Sequence, residues 1–438
     1  MLADAAERTL DIQYYIWRND MSGTLLLDAL RRAADRGVRI RLLLDDNNTS
    51  GLDTLIAAVD AHPQIEVRLF NPFALRRWRV LNYFTDFARL NRRMHNKTFT
   101  ADSQVTIVGG RNVGDEYFDA HQEFSFVDLD VLAIGAVVSD VSADFERYWQ
   151  SASSYPAEWI LPKTDRASIR KVVRAAELVA QNPASRQYLS ALSTSRFVHD
   201  LLAGTLGYRW AFTHMVSDDP AKGLGKRGPR GTMLERLYQV LGKAERELEL
   251  ISAYFVPTRA GTEMLASLAQ KGIQITILTN SLEATDVTAV HAGYAKRRRQ
   301  LLASGITIYE LMRGGEHRTR GDRKLTGSSG SSLHAKTFSV DRARVFVGSF
   351  NLDPRSAELN TECGFVMDCT ELANDIAERL ANGFPERSYR VRLRSDGQLE
   401  WVEKRGDAEI VHTREPRVPW WRRAIVSLLA LLPIEWLL

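Results

Sequence analysis

The sequence has only two cysteines, Cys363 and Cys369, among 438 residues. They stand six apart in an apolar run and are poorly placed to bridge, so both read as structural. No Cys and His cluster has zinc-site spacing and no G-x4-G-K phosphate loop occurs. The chemistry is therefore expected to run on side chains, with no metal and no cofactor. Dense charge of one sign is also missing. The formal net charge is +4 and the pI near 9.0, well short of the field of a dedicated nucleic-acid binder. The start, residues 1–8, holds no long apolar segment and no cleavage-like site. Near the other end, the uncharged run 424–434 would be about 16 Å long as a helix, against a bilayer core of about 30 Å. It is too short to cross a membrane alone. Trp420, Trp421, Arg422 and Arg423 before it and Trp436 after it suit a headgroup boundary, so it reads either as an interfacial anchor or as a helix packed on the protein's own core.

Apolar residues are plentiful, at 45%, enough to fill two cores in a chain too long for one ordinary domain. An internal repeat at an offset of 239 residues points the same way. His95-Asn96-Lys97-Thr98-Phe99-Thr100-Ala101-Asp102 returns as His334-Ala335-Lys336-Thr337-Phe338-Ser339-Val340-Asp341. At the same offset Val108, Gly109, Asn112, Glu123, Phe126 and Val127 return as Val347, Gly348, Asn351, Glu362, Phe365 and Val366. Upstream, each copy reads as strand, helix, Gly-capped turn and strand, with Gly37 and Gly272 as the caps. The expectation is an α/β fold of two pseudo-symmetric domains, each a mixed β-sheet flanked by helices. The stretch between them shows alternating helical and loop-like segments without strong strand signals, and 220–231 reads as a mobile surface loop.

In a strand, His95 and Lys97 leave the same face, as do His334 and Lys336. An imidazole beside an ammonium, followed by Gly and Asn at a turn, makes an anion site. Two copies supply two histidines, which displacement at phosphorus requires: one neutral ring attacks and one protonated ring delivers a proton to the leaving alkoxide. Glu123 and Glu362 stand 28 residues beyond the histidines, far enough for a return strand to bring each carboxylate back toward the active site, where a carboxylate on the ring's other nitrogen sets its protonation state.

The two motifs with their Gly-x-x-Asn and Glu resemble the paired H-x-K-x4-D signature of the phospholipase D superfamily over almost the whole chain. Longer segments, among them "DIQYYIW", "LLLDDNN", "GGRNVGDEYF", "YAKRRRQLLASGITIYEL" and "GSFNLDPRSAELNTECG", are similar to the bacterial cardiolipin synthases, nearest the C-type. The resemblance implies that both halves share one active site, with His95, Lys97, Asn112, His334, Lys336 and Asn351 around the phosphate and Glu123 and Glu362 orienting the imidazoles. Gly110 and Ser349 occupy the substrate-binding place two before each Asn, and Asp102 and Asp341 are implied to be structural. It implies domains at 1–160 and 243–410, a connecting region at 161–242 and a tail at 411–438. It implies a metal-independent, peripheral membrane enzyme that transfers a phosphatidyl group to phosphatidylglycerol, with phosphatidylethanolamine as a further candidate substrate, through a phosphohistidine on His95. A phospholipase D hydrolase, and a nuclease or non-catalytic lipid-binding protein, stay open.

Two further stretches bear on the lipid reading. Residues 70–93 interleave Phe70, Phe73, Trp78, Tyr83, Phe84 and Phe87 with six arginines, which suits an anionic lipid surface, stacked bases or a helix with a solvated basic face. Lys296-Arg297-Arg298-Arg299 reads as a headgroup contact or a solvated run, and 314–332 as a flexible rim over the site.

Overall fold

The computed structural model describes residues 1–118, 126–313 and 332–438. The first half opens with β1 (Thr9–Tyr14), whose Leu10, Ile12 and Tyr14 point into the core. Asp20 then caps the helix Met21–Asp35 by accepting the Gly23 N–H at 3.0 Å, and Leu27, Leu30, Ala33 and Ala34 lie along the buried stripe of that helix. Each leucine so buried contributes about 2 kcal/mol. The chain leaves this helix at Gly37 (φ +94°), and the helix Thr258–Gln270 of the second half at Gly272 (φ +89°). Both glycines sit in the left-handed region, where a side chain would add strain.

Strands β2 (Arg39–Asp45), β3 (Ile65–Phe70), β4 (Thr98–Ala101), β5 (Val105–Gly109), β6 (Phe126–Val127), β7 (Asp130–Ile134) and β8 (Ser154–Pro156) complete the first half. All but β6 form a seven-stranded mixed sheet in the order β7-β5-β4-β1-β2-β3-β8. The second sheet is ten-stranded, in the order β19-β18-β17-β12-β11-β10-β14-β15-β16-β9. Its members are β9 (Phe212–Ser217), β10 (Glu247–Ser252), β11 (Gln274–Asn280), β12 (Thr307–Leu311), β14 (Lys336–Val340), β15 (Arg344–Gly348), β16 (Cys363–Asp368), β17 (Ser388–Leu393), β18 (Leu399–Arg405) and β19 (Ala408–His412), while β13 (Ser332–Leu333) stands apart. In each half three parallel strands meet two antiparallel ones: β3-β2-β1-β4-β5 is matched by β12-β11-β10-β14-β15. The fold is α/β with two pseudo-symmetric halves.

The halves are stitched together at the motifs. Strand β6 pairs in parallel with β13. The His334 and Ala335 N–H groups donate to Val127 O at 2.9 and 3.0 Å, and His95 N–H donates to Thr361 O at 2.9 Å.

Four local expectations change. The connecting stretch carries β9, an edge strand that its short pattern does not announce and that pairing with β16 stabilises. Within 220–231, Pro220, Lys222 and Gly223 are buried, because Lys222 Nζ meets Asp218 and the Ser356 carbonyl, each at 2.9 Å. The Lys296-Arg297-Arg298-Arg299 run is largely committed to structure. Arg298 is buried between Glu310 (2.6 Å) and Glu415 (2.8 Å), Lys296 and Arg297 reach Glu435, and Arg299 donates to Gly397 O. In 70–93, Arg76 and Arg79 bind Asp46 and Asp53, Arg89 the Pro72 carbonyl and Arg93 the buried Asp45, so the surface there shows Trp78, Phe84 and Phe87 more than cations. Both cysteines are free and buried.

The tail helix Trp420–Leu431 packs one face, with Val426 at its centre, on the helix Thr288–Ala303. Its other face exposes Trp420, Trp421, Ile425, Leu428 and Leu431. Among the described residues no helix is long and apolar enough to cross a membrane.

Candidate active site

His95 and Lys97 sit just before β4, and His334 and Lys336 at the entry to β14, so each motif leaves its sheet at the seam between the halves. His95, Lys97 and Lys336 are buried, and the His334 side chain is 13% exposed. Each Lys ammonium folds back on the carbonyl of its own motif histidine.

The carboxylates cross over. His95 Nδ1 bonds Glu362 Oε2 of the second half at 2.8 Å, and His334 Nδ1 bonds Asp128 Oδ2 of the first half at 2.5 Å. Glu362 thus orients the ring of the opposite motif. Glu123 lies outside the described residues, as does the 314–332 rim apart from Ser332. Asp128 was missed by the repeat for a plain reason: its counterpart at the 239-residue offset is Met367. Tyr15 stands edge-on to the His95 ring (4.9 Å between centroids) and Tyr117 edge-on to His334 (5.2 Å).

The two carboxylates are held differently. Glu362 accepts the Ser349 hydroxyl at 2.5 Å and the Ser356 hydroxyl at 2.8 Å, and its backbone N–H donates to Asp218 at 3.0 Å. Gly110, the counterpart of Ser349, has no hydroxyl to offer and makes room instead, since a Cβ there would stand 2.4 Å from Asp128 Oδ1. Asn112 Oδ1 accepts the Ile16 N–H at 3.1 Å, and its buried Nδ2 has no hydrogen-bond partner among the described residues. The Asn351 N–H donates to Ser356 Oγ at 3.3 Å. Asp102 accepts three backbone N–H groups from Glu7, Arg8 and Thr9, and Asp341 three from Glu245, Arg246 and Glu247, both remote from the histidines.

Burial and the cations set the protonation states. Burial, then Lys97 and Lys336, push His95 well below the ordinary imidazole value, and burial with Lys336 lowers His334 to about 4. Burial lifts Glu362 to about 7 against the pull of Lys97. Burial would raise Asp128 as well, but His334 and Lys336 hold it below the usual carboxylate range. Lys97 falls to about 7, chiefly by burial. Two desolvated ammonium groups, both within electrostatic reach of both histidines, are a pair of buried charges that an anion would offset. Among the described residues no group of three His, Cys, Asp or Glu side chains is placed to hold a metal ion.

The family model "Cardiolipin synthase, PLD-like domain" matches residues 2–149 and 237–383. Cardiolipin synthase C of Escherichia coli strain K12 is 50% identical over all of this chain and 92% of its own length. A cardiolipin synthase of Staphylococcus aureus is 22% identical over 92% of this chain and 68% of its own. The crystal structure of a phosphatidylserine synthase from Haemophilus influenzae shares the fold with a TM-score of 0.59, at 14% identity, over 89% of this chain and 83% of that one. The chain therefore belongs to the bacterial cardiolipin synthase family of the phospholipase D superfamily, and is an enzyme of that superfamily.

Proposed function

We propose that this enzyme makes cardiolipin by moving a phosphatidyl group from a donor phospholipid to the terminal hydroxyl of phosphatidylglycerol, through a phosphohistidine on His95. The observation that carries the reading is the crossed pair of His–carboxylate contacts around Lys97 and Lys336. The donor phosphodiester lies against the two ammonium groups, with Asn112 Nδ2 as a further donor. Neutral His95 attacks phosphorus through Nε2, its Nδ1–H held by Glu362. The bond from phosphorus to the leaving alcohol breaks, and His334 passes its proton to that oxygen. The incoming hydroxyl then gives its proton to His334, its oxygen bonds phosphorus and the bond to His95 breaks.

The asymmetry of the carboxylates supports this division. Glu362, lifted toward neutrality, leaves His95 uncharged for attack, while the ionised Asp128 beside His334 favours an imidazolium once the substrate anion offsets Lys336. Both substrates are lipids, and the exposed apolar face of the tail helix supports a peripheral seat on a bilayer. The test is product analysis from pure phosphatidylglycerol, with and without phosphatidylethanolamine. Cardiolipin with released glycerol or ethanolamine is the expected result. Phosphatidic acid alone would make the enzyme a hydrolase, and no turnover of either lipid would overturn the reading.

A further inference from the structure

The two halves differ at a position next to the second motif. By the repeat, Tyr254 stands where the first half has Ile16: the isolated bridges Trp17 to Val113 and Phe255 to Leu352 fix that equivalence. Tyr254 follows β10, whose last residue, Ser252, pairs with Lys336, and the intervening Ala253 N–H donates to Ala335 O at 3.2 Å. The tyrosine is thereby carried beside the His334-Ala335-Lys336 segment. Its hydroxyl donates to Asp286, at 2.8 and 3.0 Å from the two carboxylate oxygens. Asp286 is exposed, on the loop after β11. Burial lowers the Lys336 pKa, and Asp286 is among the carboxylates whose charge opposes that fall, so it stands within electrostatic reach of the phosphate-binding cation.

An exposed carboxylate next to an anion site repels the anion by Coulomb's law. It suits a ligand only when that ligand carries hydrogen-bond donors close to its phosphate. A phospholipid headgroup alcohol or amine does so. We propose that Asp286, positioned by Tyr254, is the subsite for the hydrogen-bond-donating headgroup, a polyol hydroxyl or an ammonium, held on the His334 side of the phosphorus. This rests on the phosphatidyl-transfer reading and extends it. The leaving and incoming alcohols both exchange a proton with His334, so one subsite beside that ring serves the departing headgroup and then the acceptor. The carboxylate takes no part in bond making. It selects an alcohol rich in donors over water.

The test compares wild type with Asp286→Asn and Tyr254→Phe on dispersed phosphatidylglycerol, measuring cardiolipin and phosphatidic acid together. Labelled glycerol, ethanolamine and propan-1-ol are offered as soluble acceptors in separate arms. Wild type is expected to favour glycerol or ethanolamine over propan-1-ol, and the arm with the larger loss in Asp286→Asn tells hydroxyl from ammonium recognition. In that variant the phosphatidic acid share should rise about tenfold and the preference over propan-1-ol should fall by a similar factor. Tyr254→Phe should follow in the same direction. A merely structural role would lower all products alike and leave both ratios in place, and unchanged ratios in folded variants overturn the subsite alone. Wild type that releases no headgroup from phosphatidylglycerol overturns the transfer reading, and the subsite with it.

Discussion

His95 Nδ1 and Glu362 Oε2 lie 2.8 Å apart although 267 residues separate them in the chain. The same exchange runs the other way between His334 and Asp128, so each half holds the ring of the other. A carboxylate on Nδ1 fixes the tautomer that leaves Nε2 free to attack. In Glu362→Gln the carboxamide can donate to Nδ1 and so favour the tautomer whose Nε2 carries the proton and cannot attack. Turnover should fall on the order of 10²-fold or more, with the melting temperature close to wild type. Steady-state kinetics beside a thermal melt check this, and unaltered turnover would remove Glu362 from the machinery.

Gly110 and Ser349 are equivalent by the repeat and opposite in use. A methyl at 110 meets the Asp128 carboxylate, which is itself pinned to His334, so Gly110→Ala should displace Asp128 and cut turnover about 10²-fold. Ser349→Ala removes one of three partners of Glu362 and leaves a buried carboxylate less satisfied, with an expected stability loss of about 1 to 3 kcal/mol. The pair of variants, compared by kinetics and by denaturant titration, should show the larger kinetic loss at 110 and the larger stability loss at 349.

Proton linkage follows from Lys97 at about 7 and Glu362 at about 7. Lys97 is lowered, so above pH 7 the folded protein binds fewer protons there than the unfolded chain, and stability from this group rises with pH between about 7 and its ordinary value near 10.5. Glu362 is raised, so its protonated form is retained in the fold, and stability falls as pH climbs from about 4.5 to about 7. A bound oxyanion reverses the Lys97 term by favouring the ammonium. Tungstate binding at pH 8 should therefore take up close to one proton, seen as a binding heat that varies with buffer ionisation enthalpy. In Lys97→Met that dependence should largely vanish, and a buffer-independent heat in wild type would contradict the assignment.

The tail helix offers a test that separates its two faces. Val426 is only 7% exposed, while Leu428 and Leu431 are 62% and 81% exposed. Val426→Asp should destabilise by about 3 kcal/mol, because the carboxylate enters an apolar contact. Leu428→Asp with Leu431→Asp should leave the melting temperature alone and weaken sedimentation with phosphatidylglycerol vesicles severalfold. Equal vesicle binding by the double variant would show that the outer face does not seat the protein on lipid.

Much of this molecule is legible in its sequence because duplication writes the same pattern twice. A residue such as His334 alone is one imidazole among nine, but at a constant offset from His95 it names its strand, its turn and its Asn. What the repeat cannot write is asymmetry. Asp128 escapes because Met367 stands at its equivalent position, and Tyr254 because Ile16 does. The crossing of carboxylates is equally invisible, since spacing along the chain says how far a strand can return and not which half it faces. Charge runs mislead for a related reason: Arg298 looks like surface cation until Glu310 and Glu415 close around it. The strand β9 is short and at an edge, so its hydrogen bonds to β16 decide it more than its own composition does.

The division of labour between the histidines can be read out by trapping. His95 is backed by a glutamate lifted toward neutrality, and His334 by an aspartate held ionised, and on the proposed reading attack falls to the first ring and proton transfer to the second. In His334→Ala the neutral His95 retains its Glu362 contact and can still displace a donor whose leaving group needs little protonation. The second step then stalls, because nothing deprotonates the incoming hydroxyl. A short-chain phosphatidyl donor carrying a labelled acyl group and an activated leaving group should therefore leave a covalent label, mapped by mass spectrometry to the peptide containing His95 and lost on acid treatment, as a phosphoramidate is. His95→Ala should trap none. Label on the His334 peptide of His95→Ala, with none in His334→Ala, would reverse the roles and make the ionised Asp128 the partner of the nucleophile.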